Sequence, residues 1–288
     1  MKIAYLSSKV TLPGSPQRRD DAFEHDRMMD ALRGPFAELG YTIEDVDWAA
    51  EDHDWSAYAA AIIGTTWDYW DQPEAFLERL EEIEAATKLF NPSALVRWNG
   101  HKAYLQELQQ RGAPTIPTLW LDSVDAEAAQ DAFETLGSDL VFKRQVGAGA
   151  DGQYRLKPDD PLPDMPHPMM VQPFLKQIQE EGELSFIFID GAFCHALQKQ
   201  AKAGDYRIQS TYGGYETAIQ PSQADLASAQ SVLALLDEPP LYARIDMLRG
   251  ESGELLLMEL ELIEPYLYPV EGPELGPRLA AAVQRRLA

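Results

Sequence analysis

Along the first ninety residues, short apolar runs alternate with longer segments of helical spacing. Residues 2–6 read as a buried strand, and a polar loop over 7–19 follows. Over 21–39, Phe23, Met28, Ala31, Leu32 and Phe36 recur at helical intervals until Gly40. Residues 41–46 and 58–63 are the next two strands, and the second ends at Gly64. Residues 73–87 form an amphipathic helix with Pro73 in its first turn and Phe76, Leu77, Leu80 and Ile83 on one face. Leu89 and Phe90 make a short fourth strand closed by Asn91-Pro92. This βαβ alternation predicts a small parallel sheet with helices on both faces. Such sheets bind ligands at the carboxyl ends of their strands. The loop Thr65-Thr66-Trp67-Asp68-Tyr69-Trp70 follows the third strand at such an end. It reads equally as a substrate-pocket lining or as a packed aromatic corner.

Beyond residue 96 the pattern changes. Residues 99–111 read as a helix carrying Lys102 and ended by Gly112, and 114–117 as an extended linker. A helix over 125–136 precedes a strand over 140–143, a glycine-rich loop over 145–152, a proline-rich loop over 158–168 and a strand over 169–173. From residue 174 a hairpin of 184–189 and 192–199 turns at Asp190-Gly191. A polar, flexible-looking stretch over 201–214, a helix over 222–236, a second hairpin and a closing helix from about Pro273 complete the chain. The reading is α/β followed by α+β, in three sections: 1–97, 98–173 and 174–288. There is no internal repeat or low-complexity tract.

The second hairpin organises the rest. Leu241-Tyr-Ala-Arg244-Ile-Asp246-Met-Leu248 and Leu255-Leu-Leu-Met-Glu259-Leu-Glu261-Leu-Ile263 are mostly apolar and are joined by a turn at Glu251-Ser-Gly253. Alternate strand residues share a face, so Arg244 points with Asp246, and Glu259 with Glu261. Three carboxylates on a largely buried hairpin would repel unless a cation lay between them. A hard divalent ion such as Mg²⁺, held with phosphate oxygens, is the natural neutraliser. The alternative is one solvated face of an edge hairpin.

Composition narrows the picture. With 24 basic and 47 acidic residues the net charge is −23, which disfavours nonspecific contact with nucleic acid or an anionic membrane. An anionic ligand in a locally basic cleft stays compatible with it. The 45% hydrophobic content suits a globular core. The single cysteine, Cys194, excludes an internal disulfide and reads as a small core residue. Five histidines (His25, His53, His101, His167, His195) lack metal-ligand spacing and are expected mostly at the surface. No signal peptide and no membrane-spanning run is read, so the expected location is cytoplasmic.

Lys143 ends a strand before the glycine-rich loop, where small residues let backbone N–H groups approach phosphate. No Walker A sequence follows, and a plain turn is an equal reading. Lys102 is either a second phosphate contact or a lone surface lysine. Gln172-Pro-Phe174-Leu175, leading to Glu180-Glu181-Gly182-Glu183, suits an adenine edge with a ribose carboxylate, or an ordinary linker with a solvated charge run.

The order of these pieces says more than any one of them. With Thr66-Trp-Asp-Tyr69, Asn91-Pro92, Val96-Arg-Trp-Asn99, Tyr104, Gly204-Asp-Tyr-Arg207, Tyr212-Gly-Gly214 and Glu259-Leu-Glu-Leu-Ile-Glu-Pro265, the chain resembles the ATP-grasp superfamily of carboxylate–amine ligases over essentially its whole length. Within it the chain looks most like the D-cycloserine-forming type. The resemblance implies a Rossmann-like N-terminal pre-ATP-grasp domain and two ATP-clamping subdomains. It implies ATP and two Mg²⁺ ions as cofactors, with Asp246, Glu259 and Glu261 as metal ligands. The last of these is commonly Asn in D-alanine–D-alanine ligases. Lys102, Lys143 and Lys199 would contact phosphates, and Lys202 is a further candidate. The loop with Gly147, Ala148, Gly149 and Gly152 would close over them. Gln172, Phe174 and Leu175 would hold adenine, and Glu183 the ribose. Arg244 would stabilise the oxyanion of the tetrahedral intermediate, with Arg207 as a second catalytic group. Trp67, Asp68, Tyr69, Tyr212, Gly213 and Glu264 would face the substrates.

The implied chemistry activates a small amino-acid-like carboxylate as an acyl phosphate for attack by an amine, giving an amide or cyclic amide. No Ser-His-Asp or Cys-His nucleophile arrangement competes with it. Two other readings stand: a ligase adding amino acids to a peptide or protein, and an ATP-binding regulatory protein without catalysis. Retention of Arg244 with three carboxylates argues against the regulator. The expected partners are small molecules, not nucleic acid or membrane. Dimers are frequent among similar ligases, so a homodimer is an expectation of the same kind.

Overall fold

The computed structural model describes residues 1–147, 152–202 and 213–288. Its elements run β1 (Lys2–Ser7), α1 (Phe23–Glu38), β2 (Thr42–Asp47), β3 (Ala60–Ile63), α2 (Pro73–Ala86), β4 (Lys88–Phe90), α3 (Ser93–Asn99) and α4 (Tyr104–Gln110). Next come β5 (Leu119–Leu121), α5 (Ala126–Leu136), β6 (Leu140–Arg144), β7 (Tyr154–Leu156), β8 (Met169–Pro173) and the short α6 (Gln177–Glu180). The chain finishes with β9 (Glu183–Ile189), β10 (Ala192–Gln200), β11 (Tyr215–Ile219), α7 (Gln223–Leu233), β12 (Tyr242–Arg249), β13 (Leu255–Glu261) and α8 (Leu275–Leu287).

Three sheets result. The first is parallel, in the order β2-β1-β3-β4. Period-2 alternation sorts its two faces: Ile3 and Tyr5 pack with Met28, Leu32 and Phe36 of α1, while Ala4 and Leu6 pack with Phe76, Leu80 and Ile83 of α2. The predicted α/β section with helices on both faces is therefore present. The second sheet is antiparallel, β11-β10-β9-β12-β13, and the third is antiparallel, β5-β8-β6-β7. The first two share one core: Ile187, Ile189 and Leu197 join Ile3, Tyr5 and the apolar face of α8. Helix α8 crosses α1 so closely that a Cβ at Gly276 would lie 2.0 Å from the Ala31 carbonyl oxygen.

One predicted helix is broken. Residues 99–111 divide into the end of α3 and all of α4, and Lys102 sits in the gap rather than on a helix. Its N–H donates to Gln145 O at 2.9 Å, tying this gap to the end of β6. The break lets Asn99 and Tyr104 grip the strand beside them. Asn99 Nδ2 donates to Leu260 O at 2.8 Å, Leu262 N–H donates to Asn99 Oδ1 at 3.0 Å, and Leu260 N–H donates to the Tyr104 hydroxyl at 2.9 Å. Three strands escaped the sequence pattern. β5 and β7 are only three residues long, and β11 shows an outward face with Tyr215 52% exposed, so none has a strong apolar alternation.

The histidine expectation also needs correction. His25 is fully buried on α1, its Nδ1 2.7 Å from the Thr65 hydroxyl, because the helix turns this face into the core. His53 and His195 are half-buried, and only His101 and His167 are exposed. Cys194 is half-buried, and burial pushes its thiol up to about 11. Among the described residues no helix is long and apolar enough to cross a membrane.

Candidate active site

The hairpin β12–β13 pairs Arg244 opposite Glu261 and Asp246 opposite Glu259. Ala243, Ile245 and Met247 point the other way, into a core they share with Leu257, Leu260 and Leu262. That apolar alternation is what forces the charged residues onto one face. A register shift after Asp246 re-aims the remainder of the hairpin toward its turn. The face continues across the sheet: Asp246 lies opposite Ser185 on β9, and Glu183 on β9 lies opposite Lys199 on β10.

Ligand oxygens of Asp246, Glu259 and Glu261 all lie within 4.8 Å of one another. Arg244 Nε donates to both Asp246 oxygens at 3.0 and 3.1 Å, and its Nη2 donates to Glu261. Its Nη1 donates to Tyr266 O at 3.0 Å, which fixes the fork. Lys199 Nζ reaches Glu183 Oε1 at 2.7 Å and Asp246 Oδ1 at 3.3 Å. Ser185 Oγ donates to Asp246 at 2.5 Å. Lys102 Nζ donates to Glu259.

These partners set the ionisation of the cluster. Burial raises Asp246, yet Arg244, Lys199 and the Ser185 hydroxyl hold it below the usual carboxylate range. Burial likewise opposes Glu259, and Lys102 and Lys143 hold it low. Glu261 goes up: burial, with Asp246 and Glu259 beside it, outweighs Arg244. Glu264 is pushed up to about 8 by burial and Glu261, and Glu183 to about 7 by burial and Asp246. Asp246 is sealed, with a side chain 2% exposed, whereas Glu259 and Glu261 keep 25% and 31% open to the cleft.

All three sheets contribute to a cleft of about 480 Å³. From the third sheet come Lys143, Gly147, Gln172, Phe174 and Leu175. Among the described residues Lys143 has no ion-pair partner, and burial pushes its ammonium down. Gln172 is buried and donates to the Thr118 hydroxyl at 3.0 Å. The Arg155 guanidinium stacks 3.3 Å from the centre of the Phe174 ring. From the first sheet come Trp67 and Tyr69, and Glu264 enters just beyond β13. The aromatic loop after β3 therefore does both things the sequence left open: Tyr69 packs on Phe76 at 5.0 Å and still lines the cleft.

Not every expected residue converges here. Asp68 does not line the cleft; its carboxylate accepts from Trp48 Nε1 at 2.7 Å and serves the packing of the loop. Gly213 is exposed and does not line it either. Gly152, at φ +64°, abuts Arg144, where a Cβ would lie 2.3 Å from Nε. Ala148, Gly149, Arg207 and Tyr212 lie outside the described residues.

Sequence reasoning missed several residues that build the site. Asn91, at φ +57°, donates to Tyr242 O and Leu262 O at 3.0 and 2.8 Å and accepts from Leu241 N–H at 2.8 Å. It fastens the end of the parallel sheet to the charged hairpin, and only the turn-forming Asn-Pro pair hinted at it. Tyr268, also at positive φ (+50°), lays its ring 5.2 Å from Lys199 Nζ and 5.7 Å from the Arg244 guanidinium. No spacing rule in the sequence exposes that contact.

A parallel α/β sheet is thus joined to two antiparallel sheets, with a carboxylate–arginine–lysine cluster on the cleft between them. Residues 3–91 match the family described as D-cycloserine synthetase DcsG, N-terminal domain. The chain is 28% identical over 269 residues to the cycloserine biosynthesis protein DcsG of Streptomyces lavendulae, covering 86% of this chain and 90% of that protein. It superposes on the crystal structure of D-cycloserine synthetase DcsG with a TM-score of 0.84 at 25% identity, covering 100% of each chain. D-alanine–D-alanine ligase from Bacillus anthracis shares the fold at TM-score 0.68 and 14% identity, covering 100% of this chain and 97% of that one. The chain is an ATP-grasp ligase, similar to the cycloserine-forming enzyme along its length.

Proposed function

We propose that the protein uses Mg-ATP to activate a small amino-acid-like carboxylate as an acyl phosphate, which an amine then attacks to form an amide or cyclic amide. The observation that carries this reading is the meeting of Asp246, Glu259 and Glu261 with Arg244, Lys102 and Lys199 on one cleft face. The donor set fits a hard divalent ion: three carboxylates, two of them still open to the cleft. Two ions are proposed, shared between these carboxylates and the triphosphate. When bound, Mg²⁺ would neutralise phosphate charge and make the γ-phosphoryl group transferable.

The protein's own groups take the remaining tasks. Lys102, Lys143 and Lys199 would bind phosphate oxygens. Gln172, Phe174 and Leu175 would hold the adenine edge, with Glu183 at the ribose. Arg244, its fork fixed by Asp246 and Tyr266 O, would donate to the oxyanion formed when the amine attacks. Tyr69, Trp67 and Glu264 would line the substrate end. The wall around Gly147 would exclude water that otherwise hydrolyses the acyl phosphate. Three units would carry this division of labour, with boundaries near 97 and 173.

The test is ADP release from Mg-ATP with a panel of amino acids, including O-ureidoserine, and hydroxylamine present as a trap. A hydroxamate from one compound identifies the activated carboxylate. ADP release without hydroxamate from any compound would refute acyl-phosphate formation. Turnover only with peptides would move the acceptor to a polypeptide.

A further inference from the structure

Where β1 and β3 end, a buried polar knot sits behind the cleft, and no role described above uses it. His25 in the first turn of α1 is 0% exposed, as are Ser8 and Thr11, and Thr65 is 1% exposed. His25 Nδ1 lies 2.7 Å from the Thr65 hydroxyl, and Nε2 lies 3.5 Å from Asp45 Oδ1 on β2. Asp45 Oδ2 accepts from Arg33 Nη2 at 3.0 Å. The Thr65 carbonyl accepts from Ser8 Oγ at 3.1 Å and from Thr11 Oγ1 at 2.8 Å. A hydroxyl, an imidazole and a carboxylate in line are the parts of a nucleophile relay. Here they are sealed, since neither Thr65 nor His25 lines the cleft. No substrate reaches the hydroxyl, so the contacts serve to hold rather than to react.

The residues that follow show what is held. Thr66 is also 0% exposed, and its hydroxyl makes no hydrogen bond among the described residues. Thr65 is thus the side chain that anchors this corner, and Trp67 and Tyr69 extend from it to line the cleft. We propose, on the ligase reading, that Thr65, His25 and Asp45 form a buried relay that positions the cleft loop over 66–70. His25 is the positioning residue: through the Thr65 hydroxyl it fixes the corner from which Trp67 and Tyr69 reach the substrate end. Proton placement follows from the neighbours. The Thr65 hydroxyl has one proton. If it is donated to His25 Nδ1, the ring carries its proton on Nε2, facing the Asp45 carboxylate. If Nδ1 carries the proton instead, the Nε2 lone pair faces that carboxylate, and the Thr65 proton turns to Thr11 Oγ1 at 3.3 Å. With Arg33 on its other oxygen, Asp45 is the acceptor of the pair, which favours the first arrangement. Asp45 and Asp26 would raise the imidazole and Arg18 and Arg33 lower it; burial dominates and pushes it down, which keeps the ring neutral.

The test compares the full chain with Thr65→Val, Thr65→Ser and His25→Leu. Hydrogen exchange is read at the Tyr69 and Asp71 amides, which donate to Thr66 O and Asp68 O at 3.0 and 3.2 Å. Thr65→Val and His25→Leu each remove one partner of the 2.7 Å contact and should speed exchange there about tenfold. Thr65→Ser keeps the hydroxyl and should stay within about twofold of the parent. Exchange in β12 and Mg-ATP affinity by calorimetry should be unchanged in all three. In ¹⁵N spectra of the parent imidazoles, the signal lost in His25→Leu or His25→Asn should report a neutral ring protonated at Nε2. With O-ureidoserine in the hydroxylamine assay, the two disruptive variants should raise its KM at least about fivefold and leave the KM for ATP within about twofold. Loop exchange unchanged in Thr65→Val, Thr65→Ser as impaired as Thr65→Val, a ring protonated at Nδ1, or ATP affinity falling along with loop protection would each overturn the relay. A parent that gives no hydroxamate from any compound would count against the ligase reading, and the exchange and imidazole measurements would still decide the relay.

Discussion

Asn91 is the mechanical joint between the parallel sheet and the charged hairpin, and replacing it with alanine should be costly. The side chain is 1% exposed and makes three hydrogen bonds to the backbone of Leu241, Tyr242 and Leu262, each itself 0–1% exposed. Asn91→Ala leaves one N–H and two carbonyls buried without partners. The N–H costs about 1–3 kcal/mol, and each carbonyl, with a second lone pair, costs less. Alanine at φ +57° adds roughly 1 kcal/mol that asparagine tolerates better. The sum is about 3–5 kcal/mol. Asn91→Gly relieves only the backbone part, so it should be milder than alanine by about 1 kcal/mol.

Urea unfolding followed by tryptophan fluorescence measures both differences. Arg244 and Asp246 lie just beyond the carbonyl that Asn91 holds, so turnover should fall by more than the unfolded fraction explains. Asn91→Ala within about 1 kcal/mol of the parent would refute the anchoring argument. So would Asn91→Gly proving the less stable of the two.

Three further outcomes are expected. Arg244→Ala should abolish ligation but keep ATP binding, measured as ADP release against nucleotide titration; loss of both together would remove its oxyanion role. Glu259→Gln should abolish Mg-dependent turnover, and an unchanged rate would sink the metal assignment. His195 should give an acid-sensitive stability. Burial lowers its folded value to about 4, against about 6.5 in the unfolded chain. Between these values the unfolded state binds the extra proton, so stability is complete above pH 6.5 and falls by roughly 3 kcal/mol as pH drops toward 4. His195→Gln should flatten that slope in urea melts at pH 7 and 5; an identical slope would remove His195 as its source.

How much of this was legible follows from how each element is stabilised. The parallel sheet and α2 were readable because burial imposes periodicity: Phe76, Leu80 and Ile83 face one core, with Pro73 at the first turn. The β12–β13 hairpin was readable because apolar and charged residues alternate, one face joining an apolar core and the other the cleft. The gap at Lys102 was not readable. It exists because Asn99 and Tyr104 bond to Leu260 and Leu262, over 150 residues away, and no local propensity reports that. Asp68 shows the opposite failure: next to two cleft residues in sequence, it turns to the Trp48 indole instead. Arg19 was read only as the end of a polar loop, because the Trp67 ring it approaches is supplied by the loop after β3, some fifty residues on.

The electrostatics of the cleft explain why a metal–nucleotide complex suits it better than a bare nucleotide. The whole chain carries −23, yet Lys102, Lys143, Lys199 and Arg244 converge here among Glu183, Asp246, Glu259, Glu261 and Glu264. Each cation but Lys143 is already engaged by a carboxylate: Lys102 with Glu259, Lys199 with Glu183 and Asp246, Arg244 with Asp246 and Glu261. A triphosphate alone would compete with those carboxylates for the same cations and add negative charge to a cleft whose wall holds more acidic than basic side chains. Mg²⁺, with Asp246, Glu259 and Glu261 as its proposed ligands, would offset that charge and leave the lysines to phosphate. Glu261 carries the strain of the arrangement, since burial, Asp246 and Glu259 together raise it and outweigh Arg244 and Lys199, which lower it. It is therefore the proposed ligand whose ionisation a bound cation would favour most, and it would couple that cation to the arginine proposed to meet the oxyanion.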